Sequence, residues 1–300
     1  MTEDNAPGAR NGPDASEVAS AATSALFLGY SAPMPGVDSR YSDGAVAHET
    51  RLLGVCDLAS AVSGAAGRQV GETVLEGVLG ARSIAGYADF RAAAYLAPLA
   101  RAALLGERLE KVMAGLSHAD ARLFARALEG SGPGHFGGVI DGALGVTLGA
   151  GRDATLLDAM RFAAGRDPTA REYARDFEIT RDLARPALFS ALARVEATRP
   201  ALVQAYLEVL AEVPDLDATG RAGRKEAEDV SRMAHGVLKA GGVYSRRGLQ
   251  AIANLEGLLR SDTRLKPSAT ETPVIAAAFL LALEHGLEYL NGRVRPAPRR

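Results

Sequence analysis

The sequence predicts an all-α protein that forms a single large multi-helix domain. Along most of the chain, apolar residues recur at the spacing of one buried helical face. Short segments rich in glycine and proline separate these periodic stretches, as expected of turns between helices. No convincing run of alternating β-branched residues indicates a strand. Because none of the breaks is long enough to act as a linker, one helical domain is favoured over two.

The helical periodicity assigns an order of elements to residues 15–290. Ser117, followed by Asp120, forms a near-capping box at the start of one of these helices. Residues 1–14 have no large apolar anchor and are expected to form a disordered tail, whereas residues 291–300 form a basic tail. The predicted helices span 16–30, 45–64, 69–83, 88–105, 117–129, 138–147, 155–165, 168–178, 180–195, 198–212, 222–240, 245–260 and 272–290.

A charged corner between two predicted helices lies within residues 155–178. The first helix ends at Gly165, and Asp167 then occupies the N-cap position of the second, with Pro168 at its first helical position. Two interpretations remain open for this corner: an N-cap with surface ion pairs, or a binding site for a charged ligand. Its charged residues are Arg166, Asp167, Arg171 and Asp176.

A long polar loop follows the first helix at residues 31–49. Two prolines and two glycines exclude regular secondary structure there. In an otherwise helical chain, such a loop is either a surface excursion or a binding loop. Its polar residues are Asp38, Arg40, Tyr41, Ser42, Asp43, His48 and Glu49.

Composition and motifs argue against several classes of function. The formal net charge is −2 and no long basic run is present, which disfavours a nucleic-acid partner. Cys56 is the only cysteine, so an internal disulfide is excluded and a reduced cytoplasm is the expected location. The five histidines share no metal-ligand spacing, and no apolar run reaches the ~20 residues of a membrane span. Walker A, HExxH, CxxC and GxSxG motifs are absent.

The order of several segments resembles the triphosphoribosyl-dephospho-CoA synthase family over roughly residues 20–290. The strongest part of the resemblance is TLLDAMRFAAGRDPTAREYARDFE at 155–178, with its Met-containing helix, Arg-Asp, Ala-Arg, Tyr and Phe-Glu elements. The supporting segments are VGETVLEGV at 70–78, AAAYLAPLARAA at 92–103, SGPGHFGGVID at 131–141 and PSATETPVIAAAFLLAL at 267–283.

The resemblance implies a helical transferase of coenzyme biosynthesis. In that family, a ribose hydroxyl of dephospho-CoA attacks the ribose C1 of ATP and adenine leaves. Such a step requires neutralised phosphates, a carboxylate near the nucleophile and an acid for the leaving base. Relatives are also expected beside genes for one-carbon carrier coenzymes of the methanopterin and methanofuran type, which suggests such a pathway. The expected partners are therefore ATP or a related nucleotide or phosphoribosyl compound, with Mg²⁺; the oligomeric state is not indicated.

The same resemblance assigns roles to residues of the loop and of the corner. Glycine lets the backbone approach a phosphate, arginine offers a forked donor and a carboxylate can hold magnesium. The expected catalytic residues are Asp38, Asp43, His48 and Asp167. The expected substrate-binding residues are Gly36, Arg40, Arg166, Arg171 and Tyr173. The expected magnesium ligands are Asp38 and Asp176.

Three parts of the chain depart from the family's pattern. Met34 stands where the family's loop carries a lysine, and residues 87–91 lack the family's amides and glycine. Glu271 and Thr272 replace its closing Thr-Ala-Asp. Two hypotheses therefore remain open. One is an enzyme whose pocket is rebuilt for a different substrate, and the other is a non-catalytic binding or scaffold protein that retains the fold.

Overall fold

The protein is described here by a computed structural model that covers residues 12–41, 44, 46–131, 138–151, 153–195 and 197–291. No strand occurs in these ranges, which confirms the all-α prediction. The helices are α1 (Ala15–Ser31), α2 (His48–Leu53), α3 (Val55–Ser63), α4 (Val70–Ala85), α5 (Phe90–Leu105), α6 (Leu109–Ala114), α7 (His118–Gly130), α8 (Gly138–Gly149), α9 (Leu156–Ala163), α10 (Pro168–Ala174), α11 (Arg185–Val195), α12 (Thr198–Glu212), α13 (Leu216–Ala222), α14 (Arg224–Lys239), α15 (Arg246–Ser261), α16 (Glu271–His285) and α17 (Leu287–Leu290).

Three helices form the centre of the molecule, namely α5, α12 and α16. Their residues are buried on nearly all sides, and in α16 every residue from Glu271 to Phe279 is buried. A helix that is apolar all round is stable only when other helices cover it. Helices α1, α5 and α11 pack against α16, while α11 and α14 pack against α12. Within the described ranges, no helix combines the length and apolar character that a membrane span requires.

The predicted corner between α9 and α10 is confirmed at its start. Thr155 forms a capping box with Asp158 at α9, and the Asp167 side chain accepts a hydrogen bond from the Ala170 N–H at 2.9 Å. Pro168 is the first residue of α10, where its missing N–H leaves no donor unpaired.

The end of this corner differs from the prediction, because α10 stops at Ala174 rather than at 178. Asp176 and Phe177 have φ of 51° and 62°, which a continuing right-handed helix does not allow. A π-helical turn over Ile179–Ala184 then leads into α11. The Phe177 ring nevertheless packs on the Tyr173 ring, with centroids 5.5 Å apart.

Other boundaries also differ from the prediction. The helix predicted over 45–64 divides at Gly54 into α2 and α3. The segment 213–220, predicted as a break, contains α13, whose N-cap Asp215 accepts from the Ala218 N–H at 2.9 Å. The two predicted tails lie mainly outside the described residues, which begin at 12 and end at 291.

Candidate active site

The loop after α1 carries Asp38 into contact with two cations from distant segments. Arg260 of α15 donates to the Asp38 carboxylate at 3.0 Å, and Lys266 donates to it at 3.1 Å. Burial alone would raise the pKa of the Asp38 carboxyl, but the hydrogen bonds from Lys266 and Arg260 lower it below its usual value. Asp38 is therefore ionised at neutral pH and holds both cations at the surface of the site.

The backbone of the same loop is fixed by α15. Gly36 has φ of 78°, and its N–H donates to the Glu256 carboxylate at 2.5 Å. A Cβ at this position would lie 2.9 Å from side-chain atoms of Leu259 and Pro267. Glycine is therefore required here by both its φ and its surroundings. Arg260 adds a hydrogen bond at 2.7 Å to the next carbonyl, that of Val37.

A second group of charges surrounds Arg51 of α2, which is buried. Its guanidinium donates to Glu271 at 2.8 Å and to the carbonyl of Asp38 at 3.0 Å, and lies 3.6 Å from Asp89. It also stacks 3.9 Å from the ring centroid of Tyr30, whose hydroxyl donates to Asp89 at 2.9 Å. Two carboxylates thus depend on one guanidinium group.

Glu271 is the least satisfied member of this group. One carboxylate oxygen accepts from Arg51, but the other, Oε1, is buried and has no hydrogen-bond partner among the residues that the structure describes. Burial raises the pKa of Glu271, and Arg51 offsets only part of that shift. A buried carboxyl with a raised pKa and a free oxygen is typical of a proton-transfer group.

A third group lies around Arg91, where Asp217 accepts two hydrogen bonds at 2.9 and 3.2 Å. The neighbouring Asp215 accepts from the Ala269 N–H and the Thr270 hydroxyl, both at 2.8 Å. Burial, and then the charge of Asp217, raise the pKa of Asp215 to about 6. Arg221 also lies close enough to Asp217 to favour its ionised form, so this group pairs two carboxylates with two guanidinium groups.

The segment 266–271 joins these groups. Lys266 binds Asp38, Ser268 donates to Asp217 at 2.9 Å and Glu271 binds Arg51. We call the connected set the ionic layer; its members are Asp38, Arg51, Asp89, Arg91, Asp215, Asp217, Arg260, Lys266 and Glu271. The ionic layer reaches solvent at Asp38, Arg260 and Lys266, whose side chains are 20–27% exposed. Arg51 and Asp217 are nearly shielded from solvent.

The predicted corner borders the ionic layer on the side of Asp215. Arg171 and Pro168 line a cavity of about 20 Å³ together with Asp215 and Thr270, a volume near that of one water molecule. Burial raises the pKa of Asp167, although the Ala170 N–H and the charge of Arg91 act in the opposite direction. Residues 266–271 link the corner to Asp38, because Thr270 lines the small cavity beside Arg171 and Lys266 donates to Asp38.

The other predicted site residues occupy varied environments. His48 begins α2, and burial lowers the pKa of its imidazole, which is therefore neutral at neutral pH. Arg40 and Arg166 are exposed. Asp43 lies outside the described residues.

Tyr173 has a position that does not suit its expected role. It is fully buried, and its hydroxyl donates to the carbonyl of Ala94 at 2.7 Å, so it acts in the core and we assign it no substrate contact. The backbone carbonyl of Asp176 accepts from Arg181, which also binds Glu110 of α6. The expected role of the Asp176 carboxylate as a magnesium ligand stays a prediction.

Sequence reasoning missed most of the ionic layer. Arg91 and Glu271 stood out only as departures from the family pattern, and Arg51 had no distinguishing context. One signal was present at Asp215 and Asp217, where Pro-Asp-Leu-Asp-Ala-Thr has the form of a capped helix start. The partners of these residues lie up to 228 positions away, and no local pattern indicates such pairs.

The helical body thus brings acids and bases from separate segments together in one layer, which makes that layer the candidate site. The family model of CitG, the ATP:dephospho-CoA triphosphoribosyl transferase, matches residues 15–290. The chain belongs to this family.

A solved structure supports the fold. A candidate triphosphoribosyl-dephospho-CoA synthase from Archaeoglobus fulgidus aligns with a TM-score of 0.57 and 20% sequence identity. The alignment covers 77% of this chain and 97% of that chain. Among curated protein sequences, no relative matches the chain.

Proposed function

We propose that the ionic layer is the active site of a transferase that moves the triphosphoribosyl part of ATP, or of a related nucleotide, to a hydroxyl of a nucleotide acceptor. Membership of the family supports this reaction class, and the family's description names dephospho-CoA as the acceptor. The proposed product is a coenzyme precursor. A one-carbon carrier coenzyme of the methanopterin or methanofuran type is a second destination, which metabolite profiling of a deletion strain would distinguish.

The proposal rests on the uneven distribution of charge in the ionic layer, between its deep part and its solvent-exposed part. The deep part has more carboxylates than cations, because Asp89 and Glu271 share the guanidinium of Arg51 as their cationic partner. The open part presents Arg260 and Lys266, which provide charged donors for phosphate oxygens. A triphosphate that carries a divalent cation complements both parts, with phosphates on the cations and the metal on the acids.

Magnesium enters this proposal as part of the nucleotide substrate. Among the described residues, no group of three histidine, cysteine or carboxylate side chains is placed to hold a metal ion. Asp38, an expected ligand, is already neutralised by two cations. Mg²⁺ in nucleotide sites commonly takes one or two carboxylates and completes its shell with phosphates and water. Asp89 is the deep carboxylate that is left for this role, since the free oxygen of Glu271 is the proposed proton acceptor.

The proposed roles follow from pKa and position. Glu271 accepts the proton of the acceptor hydroxyl, and the hydroxyl oxygen forms its bond to C1 of the ribose. The bond from C1 to the adenine nitrogen breaks, and the adenine takes up a proton; the raised pKa of Asp167 fits that donor role. Arg260 and Lys266 bind the triphosphate, which stays attached to the ribose, while Asp38 positions these cations.

A second candidate function is a binding or scaffold protein without catalysis. The observation in its favour is that Arg51, Arg91, Arg260 and Lys266 already have carboxylate partners. The position of the family's loop lysine is also taken by Met34, which is buried. Adenine release separates the two candidates, because a scaffold would bind without producing it.

The direct test of nucleotide binding is isothermal titration calorimetry with ATP and Mg²⁺. Lys266→Ala and Arg260→Ala are expected to raise Kd by about 10- to 100-fold, as the loss of a charge-assisted hydrogen bond costs about 1.5–3 kcal/mol. Lys239→Ala, at an exposed lysine in the last turn of α14, is the matched control and should leave Kd unchanged. If the wild type gives no heat with ATP, or all variants bind equally, the proposed site is wrong.

A further inference from the structure

A large cavity lies beside the ionic layer, on the other face of the loop that carries Asp38. Its volume is about 970 Å³, at the upper end of the range of small-molecule sites. Helix α15 forms one wall, and Val195 together with residues of the segment 197–203 forms another. The lining is mainly apolar, with Pro33, Met34, Val37, Val203, Leu249 and Ile252 among the contributing residues.

The cavity and the open end of the ionic layer share structural parts. Val37 lines the cavity, and its carbonyl accepts from Arg260 at 2.7 Å. Glu256 also lines the cavity, and its carboxylate accepts from the Gly36 N–H at 2.5 Å and from Arg260 at 2.7 Å. Arg260 therefore adjoins the wall of the cavity through Val37 and Glu256.

The cavity wall has the character of a site for a ligand that is apolar along most of its length. Leu249 is 53% exposed, although a large aliphatic side chain gains about 1.5–3 kcal/mol when it is covered. Polar groups are few: Arg199 donates to the Tyr41 hydroxyl at 2.5 Å, and Ser39 and Thr198 lie in the same lining. Met34, at the family's lysine position, contributes to the apolar wall.

We propose that this cavity is a second subsite, which binds the long, flexible arm of the acceptor through the apolar segments of that arm. The pantetheine chain of dephospho-CoA is such an arm, since methylene and gem-dimethyl groups alternate with amide and hydroxyl groups along an extended chain that ends in a thiol and is joined to a diphosphate. The inference rests on the proposed function, because that function assigns a nucleotide acceptor to the adjoining ionic layer. The arm lies along Leu249, and the diphosphate lies toward Arg260.

The test compares binding of dephospho-CoA, AMP and ATP–Mg²⁺ by calorimetry. Dephospho-CoA and AMP share the adenosine 5′-phosphate part, so the difference between them reports the second phosphate together with the arm, and the cavity variants described next isolate the contribution of the arm. The wild type is expected to bind dephospho-CoA at least tenfold more tightly than AMP. Equal affinities for the two compounds would overturn the subsite, whether or not ATP binds.

Two variants test whether the preference for dephospho-CoA arises in the cavity. Ala253→Phe fills the space from α15, and Leu249→Glu puts a charge on the apolar wall; both residues are exposed, which favours normal folding. Each is expected to reduce the tenfold preference for dephospho-CoA to twofold or less while leaving the ATP Kd unchanged. Leu258→Glu is the matched control, an exposed leucine of the same helix outside the cavity lining, and should keep the preference. An unchanged preference in both cavity variants would overturn the inference.

The same experiment separates this inference from the proposed function. If dephospho-CoA binding depends on Leu249 but ATP does not bind, the subsite holds and the ATP-dependent reaction is wrong. If ATP binds at Lys266 but the arm adds no affinity, only the subsite is wrong. Sedimentation of the wild type and Leu249→Glu tests whether a second copy of the chain covers the cavity wall instead. Dissociation of a dimer in the variant, without a change in ligand binding, would identify such a contact and overturn the proposal.

Discussion

Replacing Arg51 by methionine is expected to destabilise the protein strongly and in a pH-dependent way. The substitution keeps an unbranched side chain of moderate length but removes the guanidinium that contacts both Glu271, at 2.8 Å, and Asp89, at 3.6 Å. Removal of one partner from a buried ion pair costs about 3–5 kcal/mol, because the remaining charge is buried without compensation. We therefore expect a loss of about 4 kcal/mol in the free energy of unfolding at pH 8.

The loss should become smaller at lower pH. The pKa of Glu271 in the folded protein lies above its ordinary value because of burial, and removal of Arg51 raises it further. The folded state then binds a proton more readily than the unfolded state, so acidification stabilises the folded state relative to the unfolded one. We expect the penalty of Arg51→Met to decrease by about 1–2 kcal/mol between pH 8 and pH 5.

Urea unfolding followed by circular dichroism at the two pH values measures both effects. Arg161→Met is the matched control, because Arg161 pairs with Asp158 at 3.8 Å on the exposed face of α9 and should contribute less than about 1 kcal/mol. The combination of Arg51→Met with Glu271→Gln should recover part of the loss. A cost below 1 kcal/mol at pH 8, or an equal cost at both pH values, would refute the account of this part of the ionic layer.

Three further substitutions test other parts of the structure. Burial raises the pKa of Glu172 to about 7, so wild-type stability should fall by about 3 kcal/mol between pH 4.5 and 7, and Glu172→Gln should flatten that slope in urea titrations. Gly36→Ala should lower the free energy of unfolding by about 1–3 kcal/mol and weaken ATP binding, because φ is 78° and the new Cβ would meet Leu259. Normal ATP binding by calorimetry would contradict this. Tyr173→Phe should cost about 1 kcal/mol through the lost hydrogen bond to Ala94 and leave the ATP Kd unchanged, whereas weaker ATP binding would restore its predicted substrate role.

The elements of the fold could largely be predicted because their signals are local. The N-cap at Asp167, Pro168 at the first position of α10 and the capping box at Ser117 all depend on residues within three positions of one another. The errors in the predicted helix boundaries also have local causes. Asp176 and Phe177 adopt positive φ without a glycine, and nothing in their side chains indicates that α10 ends before them.

The site was only partly predictable, because ion pairing between distant segments leaves no periodic pattern. Asp38 was identified from a polar loop, but its partners lie on α15 and in segment 266–271. Arg91 lies in the segment read as a departure, yet its buried contact with Asp217 gives it a structural role. Glu271 likewise replaces a family residue and is at the same time the carboxyl with a free buried oxygen.

Release of adenine tests the central claim most directly. With ATP, Mg²⁺ and dephospho-CoA, the wild type is expected to release one adenine for each acceptor consumed, as measured by liquid chromatography. Glu271→Gln retains an oxygen for Arg51, so it should leave the ATP Kd within about twofold and lower the rate by about 10²–10⁴-fold, the usual contribution of a general base. Adenine release at the wild-type rate in Glu271→Gln, or binding of ATP without any adenine release by the wild type, would contradict the account.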